Sequence, residues 1–236
     1  MTAPRARWTL LIGAGLLVAA AAGSAAGADL SDLVAAYLKA GSEQAPGAVT
    51  ARAYFEPSRP TAAPAPQAEV SVVLLPYSAQ LASELDAVKA GLRDSPDSYI
   101  RAPGQVEAAR VDFERALVAA GGGTLVRSEI TDGRGSARLA GLPAGDWMLL
   151  AWREGGHVSK RFKISDKDAR RYPDVPTSVT YSVLTYWRSR FTVRPSETIE
   201  VSMTDRNVWM TGGRQESRPQ GPSRDPTPGG GSQPRR

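Results

Sequence analysis

The sequence predicts a mainly β protein, a β-sandwich that carries a two-helix insertion and ends in a disordered tail. Three observations support this fold class. Apolar side chains recur at every second residue over much of 47–210, as they do in strands with one buried face. Gly, Pro and Asp separate these short runs at regular spacing, which is typical of sandwiches. Between 79 and 120 the apolar spacing becomes that of a helix.

The first 28 residues have the features of an export signal. Arg5 and Arg7 precede an apolar run that is, at about fifteen residues, long for a signal core. A membrane-spanning helix needs about twenty apolar residues, so this run is short for a stable membrane span. The small residues at 26–28 predict cleavage before Asp29 and a periplasmic or secreted mature protein. An uncleaved anchor is the alternative.

A short amphipathic helix is predicted over 29–41. Gly41 is its expected end, and five apolar residues share one helical face: Leu30, Leu33, Val34, Tyr37 and Leu38. A strand with one buried face is expected from Gly47. The proline-rich run at 56–67 predicts a connection, because proline cannot join the ladder of a central strand. The β-branched residues that follow, up to Pro76, predict a central strand.

Two helices joined by a loop are predicted in the insertion at 79–120, with Ser78 as an N-cap. Each has a single apolar stripe, so we expect it to pack on the other helix and on the sheet. Alternation then returns in strands expected at 124–130, 136–142, 146–153, 157–164, 177–193 and 197–205. A Gly155-Gly156 turn is expected within this series, and a polar loop at 165–176. The strand at 146–153 is apolar on both faces and is therefore predicted to be central.

The glycine-rich stretch from Thr131 to Trp152 is predicted to form turns. A phosphate loop requires Lys after its last glycine, and none follows here. A dinucleotide fingerprint requires a third glycine and a helix, whereas Arg138 and a strand follow here. Asp132 to Gly135 is expected to form a hairpin loop, and Gly145 to end a second turn.

This stretch is similar to the signature of carboxypeptidase regulatory-like domains. The matched positions are Thr131, Asp132, Gly135, Leu139, Leu142, Pro143, Gly145, Trp147 and Leu149. The resemblance implies a seven-stranded, prealbumin-like (transthyretin-like, Ig-like) sandwich over 47–210, and a secreted or surface accessory module that is not itself catalytic. The sequence departs from the family at Ala137, where an aromatic residue is usual, and at the helical insertion.

No catalytic, metal or cofactor site is predicted. The chain has no cysteine and only one histidine, His157, too few for an ordinary zinc site. The carboxylates of the insertion are expected to be solvated. Asp166 and Asp168 lack the remaining ligands of a calcium loop.

The formal net charge of +5 does not predict nucleic-acid binding. Arg5 and Arg7 supply two of these charges and the tail from Gly212 supplies three more, so the remaining body is neutral by count. Residues 211–236 contain no large apolar residue and are predicted to be disordered.

Aromatic residues of the late strands give the candidate binding surface: Tyr181, Tyr186, Trp187, Arg188 and Trp209. Such rings anchor protein partners or stack on sugars; the alternative is that they fill the core. The expected function is that of an exported, non-enzymatic binding or structural module that recruits a protein partner at the cell envelope. A carbohydrate-binding module that uses these aromatic rings is the alternative.

Overall fold

The computed structural model describes residues 22–57, 59, 61–161 and 178–215. This part of the chain contains three α-helices, one 3₁₀ turn at Gly123–Leu125 and nine strands. The helices are α1 (Ala22–Glu43), α2 (Ala79–Gly91) and α3 (Pro96–Ala119). The strands are β1 (Gly47–Phe55), β2 (Ala65–Pro66), β3 (Ser71–Pro76), β4 (Arg127–Ile130), β5 (Ser136–Leu142), β6 (Gly145–Arg161), β7 (Ser178–Val193), β8 (Thr198–Thr204) and β9 (Met210–Gln215).

The strands form two sheets. In sheet A, β1 pairs in an antiparallel manner with β5 and with the two-residue β2, and in parallel with β8. Sheet B has the order β4-β3-β6-β7-β9, and all its pairs are antiparallel. The predicted central positions of β3 and β6 are confirmed, because each has a neighbour on both sides.

A first apolar core lies between the two sheets, as expected for a sandwich. Sheet A contributes Val49 and Ala51, and sheet B contributes Leu74 and Leu149, all without exposed surface. The Nε1–H of Trp187 in β7 donates to the backbone oxygen of Thr204 in β8 at 2.7 Å. This bond places the Trp187 ring on the side of sheet B that faces sheet A.

A second apolar core lies on the other side of sheet B, beneath the helices. Alternation along β3 and β6 turns Leu75, Met148 and Leu150 to this side. All three are buried together with Leu81 and Leu85 of α2. The insertion is therefore a third layer that covers one face of sheet B, and its side chains complete a core.

The N-caps explain where the two inserted helices begin. Ser78 Oγ accepts from the Leu81 N–H at 3.3 Å, which confirms the predicted cap, and Ser95 Oγ accepts from the Ser98 N–H at 3.1 Å. The predicted insertion bounds of 79 and 120 agree with α2 and α3.

The predicted disordered tail is wrong at its start, because residues 211–215 belong to β9. The absence of large side chains there has a packing reason. A Cβ atom at Gly212 would lie 2.7 Å from the ring of Pro103, which is part of α3. Glycine therefore lets α3 approach the β9 backbone closely. β9 and the short β2 bring the described strands to nine, whereas the family resemblance implied seven.

Two turn predictions are also wrong. Asp132 to Gly135 does not form a hairpin, because β4 belongs to sheet B and β5 to sheet A; the turn carries the chain between sheets. Gly155 and Gly156 do not end a strand. The pairing of β6 with β7 shifts between Glu154 and His157 by one extra residue, so the glycines form a bulge inside β6.

The first helix is longer than predicted. α1 runs past the expected stop at Gly41 and begins before the predicted cleavage site. Val34 and Tyr37 are buried as expected, but Leu38 is 43% exposed. Residues 1–21, which hold most of the predicted signal, lie outside the described residues, as do 165–176 and 216–236. Among the described helices, none is long and apolar enough to cross a membrane.

Candidate functional site

The nine motif residues occupy turns and core positions. Leu142, Trp147 and Leu149 have no exposed surface. The Nε1–H of Trp147 donates to the Pro143 backbone oxygen at 3.1 Å, which closes the turn before β6. The motif thus positions the two sheets, and its side chains leave little surface for a ligand.

The late aromatic residues do not form a single surface. Tyr186 and Trp187 follow one another in β7, so their side chains point to opposite sides of sheet B, and each is only 3% exposed. Tyr181 and Trp209 are half-buried. Tyr181 packs edge-on against Tyr99 of α3, with 6.0 Å between the ring centroids.

Arg188 and Trp209 lie together beside α2. The guanidinium of Arg188 is 4.6 Å from the Trp209 ring centroid, and Lys89 approaches the same ring at 5.7 Å. Arg188 also donates to the Ala82 backbone oxygen at 3.1 Å and to the Asp86 carboxylate at 2.6 Å. Because Lys89 and Arg188 both lie near the Trp209 ring, these contacts mainly attach α2 to sheet B.

A groove of about 500 Å³ lies where α1, α2 and α3 meet; we call it the helix groove. Its walls are mostly apolar and include Leu30, Leu33, Leu81, Ala109 and Phe113. Two exposed carboxylates, Glu84 and Asp112, also line it. Asp112 is paired with Arg115 at 2.6 Å, so Glu84 is the carboxylate of the groove that forms no ion pair with a described residue.

Two adjoining cavities lie between α3 and sheet B; together we call them the sheet trough. The inner cavity has a volume of about 190 Å³ and reaches Tyr186 of β7 and Arg214 of β9. The outer cavity, about 550 Å³, reaches Ile130 at the β4 edge. Arg110 and Trp152 line both cavities, and the guanidinium lies 5.2 Å from the indole centroid.

The Tyr186 hydroxyl lies among four charged side chains: Glu107, Arg110, Glu154 and Arg214. Burial raises the pKa of Tyr186 to about 12, and the mixed charges around it add smaller, opposing effects. The phenol is thus neutral at ordinary pH. It has no hydrogen bond to a described residue, and Tyr186 lines the inner cavity.

The arginines of the sheet trough are paired with carboxylates. Arg110 lies 2.5 Å from Glu114, and Arg214 lies 3.6 Å from both Glu107 and Glu154. Glu154 also accepts from the Ser182 hydroxyl at 2.5 Å. Both arginines of the trough are thus paired, and Glu129 adds an exposed carboxylate at the outer cavity, so the trough offers many hydrogen-bonding groups and no unpaired arginine.

Other chemistry-bearing residues are dispersed. In the described ranges, no group of three or more His, Asp or Glu residues is placed to hold a metal ion. His157 is exposed on β6 opposite Ser182. Asp166 and Asp168 lie outside the described residues.

Sequence reasoning missed Trp152, Arg110 and Arg214 as members of one site. In the sequence, Trp152 lies in the strand predicted at 146–153, and Arg214 lies in the predicted tail, 211–236. A usable signal was present: Arg110 falls four residues after Val106, on the apolar stripe of α3, where a charged residue needs a partner.

No family model matches the chain, and no curated protein matches it significantly. The resemblance to carboxypeptidase regulatory-like domains therefore rests on the motif between Thr131 and Leu149.

Several solved structures have some similarity. A candidate carbohydrate-binding protein from Pseudomonas aeruginosa is 16% identical, with 72% of this chain and 95% of that chain covered and a TM-score of 0.34. The pilus backbone protein of Streptococcus pneumoniae is 12% identical, with 66% and 40% covered and a TM-score of 0.26. A minor pilin of Streptococcus agalactiae is 13% identical, with 75% and 100% covered and a TM-score of 0.23. These TM-scores are too low to transfer a ligand or partner to this chain.

Proposed function

We propose that this protein is an exported, non-catalytic binding module that recruits a protein partner at the cell envelope. The envelope location rests on the export signal predicted from the sequence. The motif between Thr131 and Leu149 supports the non-catalytic part of the proposal, because its residues form turns and pack in the core.

The observation that carries the proposal is the helix groove. Its apolar walls, built from three helices, match what an amphipathic segment of a partner buries. A volume of about 500 Å³ is enough for several side chains. Glu84 favours a partner segment that carries Lys or Arg beside its apolar face, whereas Asp112 is already paired with Arg115 at 2.6 Å.

The test is photo-crosslinking in the organism that encodes the protein. A photoreactive residue replaces Gln80, which is exposed and lines the groove, or Arg138, which is exposed on the outer face of sheet A. We expect one discrete protein adduct from position 80 and none from position 138. Ala116→Trp, which fills the groove, should remove the adduct, whereas Ala140→Trp on sheet A should not.

Equal adducts from both positions, or an adduct that persists in Ala116→Trp, would contradict a docking role for the helix groove. Turnover of a substrate in a broad hydrolase screen would contradict the non-catalytic part. Stacking of a sugar on the late aromatic rings is left with Tyr181 and Trp209, because the rings of Tyr186 and Trp187 are buried and Tyr186 can offer only its hydroxyl. Saccharide binding is better supported at the sheet trough.

A further inference from the structure

The sheet trough has features of a ligand site that the helix groove lacks. An aromatic residue, Trp152, is half-buried and lines both of its cavities. The hydroxyl of Tyr186 has no hydrogen bond to a described residue, and Tyr186 lines the inner cavity. This hydroxyl can therefore donate to, or accept from, a ligand that enters the cavity.

The charges of the trough indicate a neutral ligand. Each arginine that lines it already faces at least one carboxylate, at 2.5 Å for Arg110 and 3.6 Å for Arg214. An anion would have to break these pairs and would meet the exposed Glu129 carboxylate of the outer cavity, and a cation would meet the two guanidinium groups. A guanidinium and a carboxylate side by side offer donors and acceptors that match the two neighbouring hydroxyls of a sugar.

The shape of the trough indicates a chain and not a single small molecule. The two cavities follow one another across sheet B, from Ile130 at the β4 edge to Arg214 of β9. Five strands spaced by about 4.8 Å make this path roughly 19 Å long. The inner cavity, at about 190 Å³, holds one ring, and the outer cavity of about 550 Å³ holds further rings.

We infer that the sheet trough binds a linear, neutral hexose oligosaccharide, with one ring against Trp152 and its hydroxyls bonded to Tyr186, Glu107 and Arg214. The indole supplies the flat apolar surface on which the C–H face of a pyranose packs. Arg110, which is paired with Glu114, lies 5.2 Å from the indole centroid, so the sugar ring would pack on the part of the indole beside this guanidinium that lines the inner cavity. This site is separate from the helix groove, and either can exist without the other.

The probes are two sets of oligosaccharides of six units, titrated into the full mature chain by calorimetry. The neutral set contains linear α- and β-linked glucose, mannose and galactose chains. The charged set contains linear oligogalacturonate. We expect at least one neutral chain to bind and the charged chain to bind at least tenfold more weakly.

Tyr186→Phe tests the site because it removes only the hydroxyl and keeps the buried ring. We expect affinity to fall about 5- to 10-fold, the effect of one lost hydrogen bond. Glu107→Gln should weaken binding in the same direction. Tyr181→Phe, on the same strand but outside the trough lining, is the matched control and should leave the affinity unchanged.

Tryptophan side-chain signals in a ¹H–¹⁵N NMR spectrum give a second, binding-specific readout. The indole N–H groups of Trp147 and Trp187 are bonded to backbone oxygens, so their signals should not move. The Trp152 signal should move on saturation.

Several outcomes would overturn the inference. They are the absence of binding by every neutral chain, tighter binding of the charged chain, or equal affinities of Tyr186→Phe and the unmodified protein. A shift confined to Trp209 would also overturn it and would place the ligand on the late aromatic residues. None of these outcomes bears on the photo-crosslinking test of the helix groove.

Discussion

At the scale of single residues, the hydrogen bonds of Thr131 and Asp132 fix the turn between β4 and β5. The buried Thr131 hydroxyl donates to the Gln67 backbone oxygen at 3.0 Å and accepts from the Val70 N–H at 2.9 Å. The Asp132 carboxylate accepts from the N–H groups of Ser136 and Arg134, and these bonds hold its pKa below the usual range. Sequence reasoning identified these residues correctly as turn formers.

Gly135 is the position in this turn that no other residue can fill well. Its φ is +72°, and a Cβ atom there would overlap the backbone oxygen of Ala53 in β1. We expect Gly135→Ala to lower the free energy of unfolding by at least about 2 kcal/mol in urea denaturation, from backbone strain and displacement of β1. Gly133→Ala is the matched control, because a Cβ atom there meets nothing within 4 Å. Equal losses in the two variants would contradict this role.

Two buried tyrosines set the response of the fold to alkali. Burial raises the pKa of Tyr37 and of Tyr186 to about 12, from 10.0 for an exposed tyrosine. Below pH 10 the folded and unfolded chains both hold these protons. Above pH 10 the unfolded chain releases them first, so the free energy of unfolding should fall as the pH rises toward 12.

Urea denaturation at a series of pH values measures this fall. Tyr37→Phe keeps the ring and removes the titrating hydroxyl, so its stability should fall less steeply above pH 10 than that of the unmodified protein. Tyrosinate absorbance of the folded protein at pH 10 should be smaller than that of the urea-unfolded chain. Identical slopes for the two proteins would show that Tyr37 is not one of the responsible groups.

At the scale of elements, the boundaries of α2 and α3 were predictable because each depends on local signals. Ser78 and the helical spacing of apolar residues are visible in the sequence. β9 was not predictable in this way. Its small and polar residues resemble those of a linker. What makes them a strand is the packing of α3 on them, and Pro103 of α3 is more than 100 residues away from Gly212 in the sequence.

Arg188 is expected to be the main polar attachment of α2 to sheet B. Its guanidinium contacts the Ala82 oxygen, the Asp86 carboxylate and the Trp209 ring, and its side chain is only 19% exposed. We expect Arg188→Met to lower the free energy of unfolding by about 1–2 kcal/mol in urea denaturation. Arg138→Met, on the exposed face of sheet A, should change it by less than about 0.5 kcal/mol. A loss no larger than that of the control would show that apolar packing alone holds α2.

At the scale of the whole molecule, the sequence indicated two sheets and a helical insertion but not how the layers stack. Which sheet a strand joins depends on distant pairs, such as the parallel pairing of Ala48 with Thr198. The same limit applies to the sheet trough. Its members come from α3 and from the five strands of sheet B, and only the stacking of helix on sheet brings them together.

This layering predicts the result of removing the insertion. Val73, Leu75, Met148 and Leu150 are each at most 4% exposed, and the helical layer covers them. Replacing 79–120 by a short Gly-Ser linker would uncover this apolar face, and contiguous apolar patches of that kind promote aggregation. We expect the shortened protein to aggregate in size-exclusion chromatography and, where soluble, to bind a hydrophobic dye. Removal of 216–236, which has no large apolar residue, should do neither.

A monomeric deletion variant that unfolds cooperatively would show instead that the sandwich is complete without its helices. The expected result also determines how binding should be tested. If the variant without 79–120 no longer bound a partner or a saccharide, the cause could be the collapse of sheet B or the loss of the binding surface. Ala116→Trp in the helix groove and Tyr186→Phe in the sheet trough leave the layers in place, so a loss of binding in either variant belongs to the site that was changed.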